Sequence, residues 1–230
     1  MIPLDICEKL APSFDPGRLS HDLEIAMKEQ FSKHPLQYHD GSWETINLIY
    51  AGGKLEYTHE GDHGFGNEPP ARTELLDRCP YFDEVLSSFP GRIKMARLSA
   101  LPAGGRILRH YDPIESVDFD NMRLHIPIVT SDDVVFRLAL VRRRWRAGET
   151  WYGDFTFPHS VHNRGTQTRV HLILDIEVDA EAIALLPPGY MDEQRKARRA
   201  RHRKRFKDIS WYLTRAETLL GRHGRRAPAS

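Results

Sequence analysis

The chain has 230 residues, of which 40% are hydrophobic and 28% charged, and its formal net charge at pH 7 is +1. A chain of this length can bury a hydrophobic core without disulfides or metal ions to hold it together, so a globular fold is expected. No apolar run approaches the roughly 18 residues that a membrane span needs, and the first residues lack the basic and apolar regions of a signal peptide.

The distribution of charge limits the classes of molecule that the protein can be expected to bind, and the number of cysteines indicates its cellular compartment. Nine basic residues lie within residues 195–207, so the remainder of the chain carries a net charge of −8, which is +1 minus +9. An acidic body disfavours nucleic acid as a partner, and no membrane association is expected. Two cysteines, Cys7 and Cys79, do not suggest a disulfide framework and fit a reducing, cytoplasmic compartment.

The first 90 residues alternate between short regular segments and loops. The predicted elements are an irregular start at residues 1–16, a helix at 18–33, a strand at 43–50, and two short helices at 73–79 and 81–89. Residues 57–72 are rich in glycine and proline, and a loop of this length is typical of a lid or a binding segment.

From about residue 91 the pattern becomes that of a β protein. Seven short segments are predicted as strands, at residues 92–98, 106–110, 123–128, 134–138, 150–155, 159–163 and 169–178, which indicates an antiparallel sandwich or jelly roll. Side chains two residues apart on a strand share a face, so His110 lies beside Asp112 and Arg123 beside His125. Such polar pairs, where a half-buried strand normally carries apolar side chains, indicate a site.

Residues 179–230 are predicted to turn helical after Pro187. We expect the basic run to be a solvated helix face, because charge runs usually are and no aromatic residues interleave with it. A later amphipathic stretch is predicted to dock elsewhere on the molecule, through Ile209, Trp211, Tyr212, Leu213, Leu219 and Leu220. Residues 225–230 are expected to fray.

The combination of His110, Asp112 and His159 is the residue set that carries chemistry. Two imidazoles and one carboxylate hold a divalent iron by one face and leave positions open for oxygen and a co-substrate. His162 competes with His159, but it lies three residues further on and a strand would turn it to the opposite face.

Five blocks of sequence together resemble the aspartyl/asparaginyl β-hydroxylase family, which includes bacterial hydroxylases of free proline. They lie at residues 101–112, 123–128, 148–152, 159–165 and 169–175, in the order that the family has them. The resemblance covers residues 91–178 and implies a mainly β fold with flanking helices and a double-stranded β-helix (jelly-roll, cupin-like) core. The implied division is a dioxygenase domain at residues 1–178, with an N-terminal part at 1–90 and the core at 91–178, and a helical extension at 179–230.

The resemblance also implies the cofactors and the roles of individual residues. The family uses Fe(2+), 2-oxoglutarate and O2, and its metal ligands match His110, Asp112 and His159. Arg169 matches the arginine that grips the distal carboxylate of 2-oxoglutarate, a role that suits a guanidinium fork. Ser99 matches a position that helps to hold the same carboxylate, while Arg123 and His125 match a pair that reaches the co-substrate near the metal. Because the carboxylate ligand is retained, hydroxylation is favoured over halogenation.

The substrate is the least constrained part of the prediction. The chain offers no repeat array or added domain to grip a protein, so we expect a small molecule, most simply a free or carrier-tethered amino acid. Arg97, Arg106 and Arg109 are candidates to pair with its carboxylate. The alternatives are an Asp/Asn hydroxylase of a peptide or protein, a non-catalytic metal-binding β-sandwich module, and an RNA-associated oxygenase; a homodimer also stays open.

Overall fold

Two antiparallel sheets form the centre of the molecule. The computed structural model describes residues 5–56 and 68–223, with side chains up to residue 216. The larger sheet has, in spatial order, β1 (Cys7–Ser13), β10 (Glu149–Gly153), β7 (Asn121–Val129), β12 (Arg169–Glu177), β5 (Ile93–Leu101), β3 (Glu44–Ala51) and β2 (Ser32–Lys33), with β4 (Pro70–Arg72) paired to β3. The smaller sheet has β6 (Arg106–His110), β11 (His159–Asn163), β8 (Val134–Leu138) and β9 (Val141–Arg143).

Helices flank this pair of sheets. They are α1 (Pro16–Ala26), α2 (Glu74–Asp77), α3 (Pro80–Ser87), α4 (Ala180–Ile183) and α5 (Glu193–His223), with a short 3-10 turn at Val117–Phe119. All seven strands predicted after residue 91 are present, and the mainly β jelly-roll fold with flanking helices is confirmed. No helix in the described part of the chain is both long and apolar enough to cross a membrane.

The central strands of the larger sheet are buried on both faces, and the two faces differ in chemistry. Leu98, Leu124 and Leu172 belong to a hydrophobic core that also contains Leu23 of α1 and Phe82 of α3. The residues that alternate with these three strand positions point toward the smaller sheet, because successive side chains on a strand point to opposite faces. Polar side chains are frequent on that second face, and the site described below is built there.

The N-terminal prediction was wrong in two respects. Residues 1–16 were expected to be irregular, yet Cys7–Ser13 forms an edge strand that pairs with β10, Cys7 lying opposite Gly153. An edge strand tolerates proline and needs few β-branched residues, so its sequence carries little strand signal. The first helix ends at Ala26 rather than near residue 33, and its cap is Asp15, whose side chain accepts a hydrogen bond from the Arg18 amide.

The C-terminal extension is helical as expected, but its basic run is not solvated throughout. Arg199 and Arg203 of α5 are only 1% and 8% exposed, whereas Trp211 and Tyr212, predicted to dock, are exposed. The helix therefore docks through buried arginines and through Phe206, which packs against a hydrophobic cluster that contains Phe157. Residues 225–230, expected to fray, and most of the predicted loop at 57–72 lie outside the described residues.

The N-terminal strands are built into the same sheet as the core. Strand β3 pairs along β5, and β1 pairs with β10, so residues before 91 complete the larger sheet. The division of the chain at residues 90 and 178 stays a prediction.

Candidate metal and co-substrate site

The three predicted metal ligands meet where β6 and β11 pair. His110 ends β6 and His159 begins β11, and the two residues lie directly opposite each other in the antiparallel register. Asp112 follows two residues after His110, and its backbone amide donates a hydrogen bond to Phe155 O at 3.0 Å. The candidate ligand atoms of the three residues all lie within 4.8 Å of one another.

Hydrogen bonds to backbone carbonyls orient both imidazoles. His110 Nδ1 lies 2.7 Å from Leu108 O, and His159 Nδ1 lies 3.0 Å from Phe157 O. A carbonyl oxygen only accepts, so each Nδ1 carries the proton and each Nε2 keeps its lone pair. The two Nε2 atoms lie 3.7 and 3.9 Å from Asp112 carboxylate oxygens. This is the arrangement in which a metal-binding histidine is held by a partner on its other nitrogen.

The protonation states that the environment imposes suit a divalent cation. Burial, reinforced by His159, lowers the pKa of His110 to about 3, and burial also lowers the pKa of His159. Burial alone would raise the pKa of Asp112, but Arg123 and the two histidines outweigh it and hold the pKa below its usual range. At neutral pH the set therefore consists of two neutral imidazoles and one carboxylate, which are the forms that bind a metal.

Arg123 holds the carboxylate of Asp112. Its Nη1 donates to Asp112 Oδ2 at 2.5 Å, and its Nε and Nη2 form a two-pronged pair with Asp175, each at 2.7 Å. Nη2 also lies 3.1 Å from Glu115 Oε1. The guanidinium thus orients Asp112 and is surrounded by carboxylates, which differs from the predicted contact with a co-substrate; that contact stays a prediction.

Arg169 is a buried cation without a carboxylate partner among the described residues. It is 3% exposed, its Nη2 donates to His171 Nδ1 at 2.8 Å, and its Nε has no hydrogen-bond partner within residues 5–56 and 68–216. Burial lowers the pKa of Arg169 to about 9. An uncompensated buried charge is costly, so this environment is suited to an anionic ligand.

Ser99 and His125 are held by aromatic neighbours. Trp43 Nε1 donates to Ser99 Oγ at 2.8 Å, and the His125 ring lies 4.8 Å from Phe155 between ring centroids. One small cavity between the two sheets is lined by all seven predicted site residues: His110, Asp112, His159, Arg169, Ser99, Arg123 and His125. Of the three arginines predicted as candidates for a substrate carboxylate, Arg97 lines this cavity and the other two do not.

The family model for Aspartyl/Asparaginyl beta-hydroxylase matches residues 18–179. The chain belongs to this family. A relative, L-proline cis-4-hydroxylase of Rhizobium meliloti (strain 1021), is 27% identical over 176 residues, which cover 73% of this chain and 59% of that protein. The match thus spans less than two thirds of the relative's own length.

Solved structures of similar fold are more distant. A prolyl-4-hydroxylase of Pseudomonas putida has a TM-score of 0.47 and 13% identity, and the match covers 76% of this chain and 93% of that one. The collagen prolyl hydroxylase of Paramecium Bursaria Chlorella virus-1 gives 0.45 and 11%, over 76% of this chain and 97% of that one. At these scores the likeness carries no argument about function.

In this β-hydroxylase family member, sequence reasoning missed the N-terminal side of the site. The Tyr38 ring stacks on His110 with centroids 3.7 Å apart and an angle of 16° between the planes. His34 stacks on Trp43 in the same segment at 3.5 Å. The only sequence signal was the density of aromatic and histidine residues between 34 and 43.

His162 lies apart from the ligand cluster. It is half-buried, lies opposite Arg106 in the register of β11 and β6, and its Nδ1 accepts a hydrogen bond from Arg164 Nε. It does not line the cavity that contains His159. The preference for His159 as the ligand stays a prediction, and the position of His162 is consistent with it.

Proposed function

We propose that this chain is an Fe(2+)- and 2-oxoglutarate-dependent dioxygenase that hydroxylates an aliphatic carbon of a small substrate, a free or carrier-tethered amino acid. The observation that carries the proposal is the convergence, in one cavity, of His110, Asp112 and His159 with the buried, carboxylate-free Arg169. A co-substrate such as 2-oxoglutarate binds the metal at one end and a cation at the other, so it requires both groups in one cavity.

The donor set fits iron. Two neutral imidazole nitrogens and one carboxylate oxygen on one side of a cavity form the facial triad of non-haem Fe(2+) oxygenases, in which the other side stays open. Iron bound there would supply the oxidation in which O2 gives one oxygen atom to a substrate C–H bond and one to 2-oxoglutarate, which loses CO2 and leaves as succinate. Asp112 would be kept ionised and in position by Arg123, and the two imidazoles by their backbone carbonyl partners.

The protein's contribution to co-substrate binding is a preorganised guanidinium. Arg169 would receive the distal carboxylate of 2-oxoglutarate as a two-pronged, charge-assisted pair. His171 holds the guanidinium in place through its Nδ1. The guanidinium itself therefore needs little reordering to accept the anion, which keeps the entropic cost of fixing this side chain on binding low.

The proposed substrate class rests on the relative described above. The relative's name states that it acts on L-proline, so free proline is the first compound to test and other free amino acids follow. Arg97, which lines the cavity and is buried, is our candidate for the substrate carboxylate. We also propose a cytoplasmic location, since both cysteines are free thiols.

A turnover screen tests the proposal. Purified full chain with Fe(2+), ascorbate and 2-oxoglutarate is incubated in air with each free amino acid, L-proline first, and then with peptides containing Asp or Asn. Succinate formation and a gain of one oxygen in the substrate, read by mass spectrometry, are expected with a free amino acid and not with the His159→Ala variant. Oxygen gain on peptides alone would favour the protein-hydroxylase alternative, and no succinate with any compound would refute the oxygenase.

A further inference from the structure

The loop at residues 34–43, called the aromatic loop below, packs along the outer edge of β6. Strand β6 is the last strand of the smaller sheet and pairs with β11 on one side only. On its other side the Leu108 amide donates to Tyr38 O at 2.7 Å, and the Asp40 amide donates to Arg106 O at 3.1 Å. The Arg106 amide in turn donates to Asp40 Oδ2 at 2.9 Å. The loop thus extends the hydrogen bonding of the strand that carries the first histidine of the proposed metal site.

The aromatic loop is closed by its own contacts. The His34 amide donates to Trp43 O at 3.0 Å, and the rings of these two residues stack with centroids 3.5 Å apart. His39 Nε2 lies 2.9 Å from His34 O, and Trp43 is fastened to the sheet through Ser99 Oγ. A loop whose ends meet and whose interior is packed by its own side chains keeps one conformation. Tyr38 is therefore presented to β6 from a fixed backbone.

Tyr38 contacts His110 in two ways. Its ring stacks on the imidazole at 3.7 Å between centroids, with an angle of 16° between the planes. Its carbonyl oxygen accepts from the Leu108 amide, and the carbonyl of the same leucine accepts from His110 Nδ1 at 2.7 Å. The hydrogen bond sets the direction in which Nε2 points, and the stack sets the plane of the ring. Tyr38 does not line the cavity that His110 lines, so it acts on this histidine from outside the cavity.

We propose that Tyr38 is a positioning residue for His110, whose aromatic face raises the affinity of the site for a divalent metal. A metal ion at Nε2 withdraws electron density from the imidazole and makes the ring more positive. The face of a tyrosine ring is electron-rich and attracts positive charge, so the stack is stronger with metal bound than without it. A contact that is stronger in the bound state increases affinity. This role rests on the proposed metal site and adds to it a residue that contacts neither metal nor substrate.

Metal binding to the chelator-treated full chain tests this role without turnover. Co2+ stands next to Fe2+ in the affinity order of divalent metals, and its visible absorption reports its binding. Tyr38→Leu keeps apolar bulk without an aromatic face, and it should weaken Co2+ binding about tenfold, since groups behind a histidine ligand contribute at least that factor. Tyr38→Phe keeps the ring and should bind Co2+ within about threefold of the parent.

Tyr212→Leu is the matched control, because Tyr212 is an exposed tyrosine of α5. It should bind Co2+ as the parent does. Circular dichroism of the metal-free proteins shows which variants are folded, and Tyr38→Met replaces Tyr38→Leu if the leucine variant is not. The proposal is overturned if the variant without a ring binds Co2+ as tightly as the parent. It is also overturned if Tyr38→Phe loses as much affinity as that variant, because the aromatic face would then not be the group that matters.

The failure of this role can be told apart from the failure of the proposed function. If the parent binds Co2+ and His159→Ala does not, the metal site stands and the Tyr38 variants alone decide the positioning role. If iron-loaded parent forms succinate but Tyr38→Leu binds metal normally, the oxygenase stands and the positioning role is wrong. If the parent binds no Co2+, the metal site and the positioning role are both overturned.

Discussion

Replacing Arg203 of α5 with methionine should destabilise the fold strongly, because it removes the cation from a buried ionic cluster. Arg203 Nη2 lies 2.6 Å from Asp154 Oδ2 and 2.5 Å from Asp118 Oδ2. After the substitution Asp118 keeps Arg199 Nη2 at 3.1 Å. Asp154, which has no solvent exposure, keeps only the hydroxyl and amide of Thr156 among the described residues.

The expected loss of stability follows from the Asp154 carboxylate, which would stay buried without a cation beside it. Removing one partner of a buried ion pair costs about 3–5 kcal/mol, because the remaining charge stays desolvated. For a chain of this size that loss corresponds to a drop of roughly 10 °C in Tm. Burial already raises the pKa of Asp154 despite Arg203, and the substitution should raise it further. The folded variant then binds a proton more readily than the unfolded chain, so its stability deficit should shrink as the pH falls.

Urea unfolding of the full chain, followed by circular dichroism at neutral and mildly acidic pH, measures the deficit. Arg201→Met is the control, since Arg201 is an exposed arginine two residues away on the same helix. The double variant Arg203→Met/Asp154→Asn should recover most of the loss because it removes the stranded charge. A deficit within about 0.5 kcal/mol of the control would refute the reasoning. An unrescued deficit would assign the loss to packing on Phe119 and Phe157 rather than to charge.

Further predictions concern the site itself. His159→Ala should abolish Fe(2+) binding and His162→Ala should leave it intact, because His159 Nε2 is the one that faces Asp112; anaerobic titration calorimetry that gave the reverse order would exclude the ligand assignment. Arg169→Ala should raise the KM for 2-oxoglutarate by about 100-fold with iron affinity unchanged, since it removes a two-pronged ionic contact; equal losses of both would indicate a collapsed cavity. Glu115→Gln should change the pH dependence of stability of the metal-free chain. Burial raises the pKa of Glu115 to about 7, so the parent loses up to about 3 kcal/mol of stability as the pH rises from about 4.5 to 7 and the variant does not; parallel unfolding curves would contradict this.

The part of the fold that the sequence could predict is the part with an alternating pattern. Strand period two identified the seven core strands, and it predicted a common face for His110 with Asp112 and for Arg123 with His125. Strand β1 was not predicted, because an edge strand buries few of its side chains. In Cys7–Ser13 only Leu10 is fully buried, so no alternation is visible.

The ionic contacts of the site could not be predicted because they join distant positions. Arg123 is 52 residues from Asp175, and Arg203 is 49 residues from Asp154. Local sequence shows only that such residues are charged, and charged side chains are mostly exposed. An arginine can be buried where the fold places a carboxylate next to it. Which arginine pairs with which carboxylate cannot be read from a single sequence. For the same reason the burial of Arg199 and Arg203 within the predicted solvated face of α5 could not be predicted.

These contacts connect the C-terminal helix to Asp112, the carboxylate of the proposed metal site. The Asp112 amide donates to Phe155 O, and the Phe155 amide donates to Glu115 O, so two backbone bonds fasten the segment after Asp112 to the chain next to Asp154. Arg203 closes the same junction from α5 by binding Asp154 and Asp118. A metal site holds its geometry only if the groups behind its ligands are fixed. Helix α5, which in the sequence is a basic C-terminal segment, therefore holds the loop that carries Asp112 in position.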